Sequence, residues 1–445
     1  MRRLILIAFL AASSLLSGQQ LNFIQVDTLT YNQYLRGEWK ELIGSGKTAL
    51  DNEINYYYLQ MRIAYAYFSL EKYRQAIAYY KNALDLSSSD PLAWEYLYYS
   101  FRFSGRYNDA LAITDRLSNE QRQALDIDMT KKFVSFGLGH SYSFSDAAML
   151  QEAVLAGTTT EADGVQKASI SLNSPLVELS HRFGKKFILN HKASMMFKNE
   201  LSYVVVNGFE YFSPEQPIRQ FEYGADAEIR LAEGWILNPG IYFISTTIPV
   251  YSETSYGISA GRDRSAVGEV VLNNWVEQVY IEKQLPFFDI GLSFVHHNFN
   301  LSSTNQLGLH GTVYPLANLD LYLSIDAYMQ LISSGVAKST EYIAKPLLGF
   351  KVHKNLWLEL SASLPEQFNF FDVRNKVAYN NLEKTASTME AYAIIPMYRK
   401  NAKLFFGYQY RSSSSYFFPD ENILEPSNKL MYNSHLITGG IKWTK

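Results

Sequence analysis

Fourteen charged side chains alternate with apolar residues along the latter part of this 445-residue chain: Glu178, Arg182, Lys192, Lys198, Glu200, Glu222, Asp226, Glu228, Arg230, Asp320, Asp326, Glu359, Glu390 and Arg411. Nine are acids and five are bases, a set suited to ion pairing across a confined space or to selecting ions by charge. A tight turn centred on Lys185 puts Glu178 and Lys192 seven residues to either side, so a cross-strand salt bridge is expected between them. Asp226, Glu228, Asp320 and Asp326 offer the alternative, a ring of carboxylates that passes cations. Catalytic patterns are weaker. His296 and His297 are adjacent on an extended stretch, so their imidazoles face apart and cannot share a metal. His140 beside Ser141 and Ser143 brushes the idea of a lipase, but adjacent residues again point to opposite faces. No metalloprotease, nucleophile-elbow, phosphate-loop or dinucleotide pattern is present in the stretch of period two. The expectation is a protein that is not an enzyme, with no catalytic, metal or cofactor-binding residue and no cofactor.

The elements that must hold these charges have a period of two. In LDLYLSIDAYMQL (319–331), Leu319, Leu321, Leu323, Ile325, Ala327, Met329 and Leu331 share one face, while Asp320, Tyr322, Ser324, Asp326, Tyr328 and Gln330 share the other. In 219–231, Phe221, Tyr223, Ala225, Ala227, Ile229 and Leu231 oppose Glu222, Asp226, Glu228 and Arg230. Fourteen such segments are expected, near 133–146, 166–183, 187–206, 218–232, 235–249, 268–285 and 288–300, then 303–315, 318–333, 340–353, 356–371, 383–399, 401–417 and 429–443. Segment 166–176 drifts out of phase around Asn173 to Pro175, which predicts a bulge. Tight turns at 184–186, 232–234, 285–287, 315–318, 353–355 and 399–401 alternate with longer links such as 147–165, 250–267 and 372–382. Short turns at one end and long loops at the other are the layout of a membrane β-barrel, with leucines on lipid and carboxylates in the lumen.

Residues 1–18 carry Arg2 and Arg3, an apolar run from Leu4 to Leu10, and small residues ending Ser17-Gly18, which predicts a cleaved secretory leader. No cysteine follows it to take a lipid anchor. A net charge of −3 gives no broad electrostatic case for nucleic acid as a partner. Aromatic residues make up 15% of the chain, an excess that suits girdles at membrane interfaces.

Between residues 25 and 128 the period is helical, and Trp39, Tyr73 and Tyr107 are spaced by 34 residues each time. In WEYLYYSFRFSGRYNDAL, the residues Trp94, Leu97, Phe101, Gly105, Tyr107 and Ala110 stand where tetratricopeptide repeats carry theirs, with Tyr98 in place of a small residue. The stretch resembles about three such repeats. That resemblance implies a concave surface for a peptide or protein partner, and Tyr57, Tyr58, Tyr65, Trp94 and Tyr98 are the expected contact residues.

The last strand, SHLITGGIKWTK, resembles the aromatic C-terminal signal read by barrel-insertion machinery, departing from it by two polar residues after Trp443. The arrangement as a whole is similar to outer-membrane exopolysaccharide exporters that join periplasmic repeats to a barrel. Hairpin LSHRFGKKF (179–187) resembles the strand motifs of the YaiO-type barrels. No catalytic residue carries over from either family.

The expected protein is of α + β class in two domains: leader 1–18, repeats 25–128, and an antiparallel transmembrane β-barrel of about 14 strands over 131–445. Its expected place is the bacterial outer membrane, in contact with lipid, with the repeats in the periplasm. Its expected role is to dock a periplasmic or outer-membrane protein through the repeats, as a scaffold or accessory subunit. The alternative is a narrow transport or export channel whose repeats recruit a partner.

Overall fold

The computed structural model describes residues 22–127, 132–147, 164–206, 209–212, 216–250, 268–335, 337–380, 383–397, 401–419 and 427–444. The expected leader lies outside them. The chain divides into two compact units, Met1–Ile127 and Asp128–Lys445.

In the first unit, helices α1 (Phe23–Arg36), α3 (Tyr57–Ser69) and α5 (Pro91–Phe103) begin at residues 23, 57 and 91, a period of 34. Their partners α2 (Trp39–Asp51), α4 (Tyr73–Leu86) and α6 (Tyr107–Ala112) begin at 39, 73 and 107, the same period. A short α7 (Asn119–Ala124) follows. Local chemistry sets the ends. Asn22 and Gln25 form a capping box on α1, and Gly37 closes that helix at φ 69°. Asp90 caps α5, with Pro91 at its first position. Leu42, Leu59, Ile63, Tyr80, Leu97 and Phe101 form the continuous core that three stacked hairpins need.

The second unit is a closed antiparallel barrel. Among the described residues its fourteen strands are β1 (Phe133–Ser145), β2 (Gly164–Phe183), β3 (Phe187–Val206), β4 (Gln216–Ala232), β5 (Trp235–Val250), β6 (Gly268–Gln284) and β7 (Phe288–His297), then β8 (Ser303–Val313), β9 (Leu321–Ser334), β10 (Ala337–His353), β11 (Leu356–Ser363), β12 (Lys384–Pro396), β13 (Ala402–Pro419) and β14 (Ser427–Thr444). Each pairs with the next in sequence, and β14 closes on β1 from Ser135 opposite Thr444 to Ser145 opposite Ser434. Closure leaves no unpaired edge to face lipid.

Alternation along each strand sorts the two faces. On β9, Leu323 (45% exposed) and Ile325 (54%) point outward, while Asp326 and Gln330 are buried inward. Leu292, Phe294, Leu307 and Leu309 continue the outer wall on β7 and β8. At the short-turn rim, Phe133, Phe183, Trp235, Phe287 and Trp443 stand exposed, an aromatic girdle. An apolar wall with such a rim would be intolerable in water, and it marks an outer-membrane type of barrel.

Two local expectations are corrected. The register of the β2–β3 ladder shifts between Ser169 and Ser171, where one extra residue is accommodated, while at Asn173 to Pro175 the register holds and only the pairing lapses at Ser174 and Pro175. The strand expected over 356–371 stops at Ser363, because Pro365 has no N–H to offer a ladder and the chain turns away beyond it. Where it goes defines the site.

Candidate functional site: a hairpin folded into the lumen

The link between β11 and β12 does not arch over the barrel. It turns inward and forms a small hairpin, Phe370–Asp372 paired with Val377–Tyr379. Phe370 and Phe371 are fully buried, and Tyr242, Ile343 and Tyr328 from the wall pack around them. The rest of the attachment is polar. Gln306 Nε2 donates to the Phe371 carbonyl at 2.7 Å, and Gln330 Nε2 donates to the Asn369 carbonyl at 2.9 Å. The Asn369 amide donates to Ser302 Oγ at 2.8 Å, and the Asn380 amide donates to Gln220 Oε1 at 2.9 Å. Lys192 Nζ donates to the Lys376 carbonyl at 2.7 Å.

Three ion pairs complete the attachment. Asp372 meets Lys345 of β10. Arg374 reaches Asp326 of β9 at 3.1 Å, and Lys376 reaches Asp226 of β4 at 2.5 Å. Burial alone would raise the Asp372 carboxyl; the Lys345 ammonium and hydrogen bonds from Asn375 outweigh it and hold the group below the ordinary carboxylate range. The hairpin therefore touches β3, β4, β5, β8, β9 and β10, and stands across the lumen as a plug.

This placement revises the charge map drawn from the sequence. Glu178 does lie opposite Lys192 in the β2–β3 ladder. The expected salt bridge is replaced: Glu178 meets Lys442 of the closing strand at 3.0 Å, and Lys192 is drawn to the plug. Glu222 accepts from Ser194 Oγ at 3.0 Å and from the Gln220 amide at 2.6 Å. Asp320 stands at the foot of β9 and pairs with Lys351 at 3.2 Å. Glu228 and Arg230 are half-buried further along β4. The acids do not form an open ring, because Asp226 and Asp326 are already occupied by cations of the plug.

A chain of side chains that sequence reasoning missed lies behind Asp326. Ser293 Oγ on β7 is 2.8 Å from His310 Nε2 on β8, and His310 Nδ1 is 3.0 Å from Asp326 Oδ1. Tyr280 and Tyr328 stand edge-on to the imidazole. The order of atoms is that of a serine nucleophile with its base. Its setting differs from that of a hydrolase. All three strands are paired on both sides, so among the described residues their N–H groups are spent in ladders rather than aimed at an oxyanion. The chain orients the Asp326 carboxylate toward Arg374. Alternation already turns Ser293, His310 and Asp326 inward; only the registers, fixed by the links at 298–302 and 314–320, bring them together.

His140 points outward beside Leu138 and Tyr142, while Ser141 turns inward to Thr438 at 2.9 Å, so the two face apart. His296 is half-buried and His297 fully buried on adjacent positions, again on opposite faces.

In the helical unit, Tyr57, Tyr58 and Tyr65 line a groove of about 540 Å³ with Tyr31, Tyr34, Met61, Leu92 and Tyr96. An Arg62–Asp27 pair at 2.8 Å forms part of its wall. Tyr98 is corrected: it is 3% exposed and packs in the core beside Leu97 and Phe101, filling the space a small residue would leave. Trp94 is also placed elsewhere. Its Nε1 donates to the Ser88 carbonyl at 2.9 Å and Arg116 covers its ring, so it pins the link between hairpins.

No protein-family model and no curated protein matches this chain. Among solved structures, a Pseudomonas aeruginosa FadL homologue aligns at 9% identity and a TM-score of 0.39, over 78% of this chain and 94% of its own. The Ralstonia pickettii toluene transporter TbuX aligns at 8% identity and a TM-score of 0.41, over 70% of this chain and 90% of its own. An outer membrane channel from Pseudomonas putida F1 aligns at 9% identity and a TM-score of 0.32, over 69% of this chain and 96% of its own. Scores this low carry no argument about substrate.

Proposed function

We propose that the protein is a plugged channel of the bacterial outer membrane, with the alternative reading of the sequence promoted over the scaffold. The observation that carries it is the hairpin at 370–379, attached to the lumen wall by side-chain hydrogen bonds and three ion pairs. A barrel used only as an anchor can fill its interior with its own strand side chains. This one leaves a space that a separate, loop-borne element occupies. Contacts of that kind exchange for water or solute more readily than a strand leaves its ladder.

The test is conductance of the full chain in planar bilayers, compared with the variant D372N/R374Q/K376Q, which removes the plug's charges. Frequent opening of the variant, against a largely silent parent, supports the channel. A folded variant that stays silent, with folding checked by its heat-modifiable migration on gels, sinks it.

The tyrosine groove favours a second role alongside conduction. A groove lined by tyrosine rings, with Asp27, Arg62 and Asp90 in its wall, suits an extended peptide of a partner protein, the kind of ligand such helical hairpins would recruit.

A further inference from the structure

Building on the channel reading, we infer that the lumen binds solutes carrying both charges, a carboxylate together with a guanidinium or ammonium group, as in a basic amino acid, and that the plug occupies their seats. Asp226 is 3% exposed, and its orientation is fixed without the plug: the Asn190 and Asn238 amides donate to Oδ2 at 2.9 and 3.0 Å, and the Tyr242 hydroxyl to Oδ1 at 3.3 Å. Lys376 contributes only the cation. Asp326 is likewise oriented by His310, and Arg374 contributes the guanidinium. Lys345, 6% exposed, presents its ammonium to Asp372, a carboxylate that the plug brings. The wall thus offers two carboxylates and one ammonium, and the plug answers with two cations and one carboxylate within five residues.

An independent observation points to a ligand at the same place. Gln278 is 2% exposed, and its Nε2 lies 3.1 Å from Asn238 Oδ1 and 3.4 Å from the Tyr242 hydroxyl, two of the groups that hold Asp226. Its Oε1 has no hydrogen-bond partner. A buried acceptor left bare beside a seated carboxylate is costly to the fold unless a donor visits it. An ammonium carries three donors and a guanidinium five, more than Asp226 alone consumes.

The experiment uses D372N/R374Q/K376Q in planar bilayers with three probes: arginine, agmatine (arginine without its carboxylate) and glutamate. Arginine should block the current at a concentration at least tenfold lower than either other probe. Adding D226N or D326N, isosteric changes, should raise its half-blocking concentration at least tenfold. Equal block by arginine and agmatine, or no block, overturns the inference while the conducting variant still supports a channel. If the folded variant does not conduct, the channel reading falls, and calorimetric titration of arginine on the same protein decides the seats. Saturable binding lost in D226N supports them, and absence of binding overturns them.

Discussion

At the scale of single residues, the lumen is built from pairs in which a tyrosine lies across a glycine. Tyr322 on β9 stands opposite Gly349 on β10, and its hydroxyl is bonded to Glu359 on β11. A Cβ on Gly349 would fall 2.1 Å from the Tyr322 ring. The same arrangement joins Tyr242 to Gly224 and Tyr392 to Gly407. The glycines make room for aromatic rings that lie flat on the wall, which fills space and, for Tyr322 and Tyr242, brings hydroxyls to carboxylates. We therefore expect G349A to cost about 1–3 kcal/mol through overpacking, read as a lowered midpoint of unfolding in urea. An unchanged midpoint would mean the ring moves aside freely. Pairs of this kind are invisible in a sequence until the register is known, because Tyr322 and Gly349 are separated by a turn that either strand could enter one residue early.

At the scale of elements, the plug depends on one residue besides its ion pairs. Asn369 has φ 48°, is fully buried, and its amide group accepts from Asn300 at 2.7 Å while donating to Ser302. It steers the chain inward and fastens it there. Replacing it by alanine should raise the frequency of channel opening severalfold, because the left-handed backbone is strained and the anchors are lost. N369G should open less than N369A, since glycine keeps the backbone while losing the same anchors. Equal effects would show that the side chain alone matters. The sequence showed the strands plainly: Leu323, Ile325 and Leu331 outward against Asp326, Tyr328 and Gln330 inward follow from a period of two. It also showed the 34-residue period of the helical unit, through Trp39, Tyr73 and Tyr107. The plug was not legible, because Phe370 and Phe371 read as the end of a strand, and Asp226, Asp326 and Lys345 gain their partners from 27 to 150 residues away. Long-range ion pairs leave no periodic trace.

At the scale of the molecule, the two units have separate cores, the helical one centred on Leu59 and Ile63 and the barrel one on the plug and its wall. Removing residues 22–127 should leave a barrel that still migrates heat-modifiably on gels; failure to do so would make the helices part of its folding. The plug has a consequence that a free inhibitor would not have. It is joined at one end to β11 and at the other to β12, so its charges cannot be diluted. A short tether presents its group at an effective concentration of the order of millimolar. Any solute that uses the same seats must compete with that fixed rival. On the proposed channel reading, entry then has a threshold set by the chain itself: scarce solute would meet a shut pore, and abundant solute would hold open the path it travels.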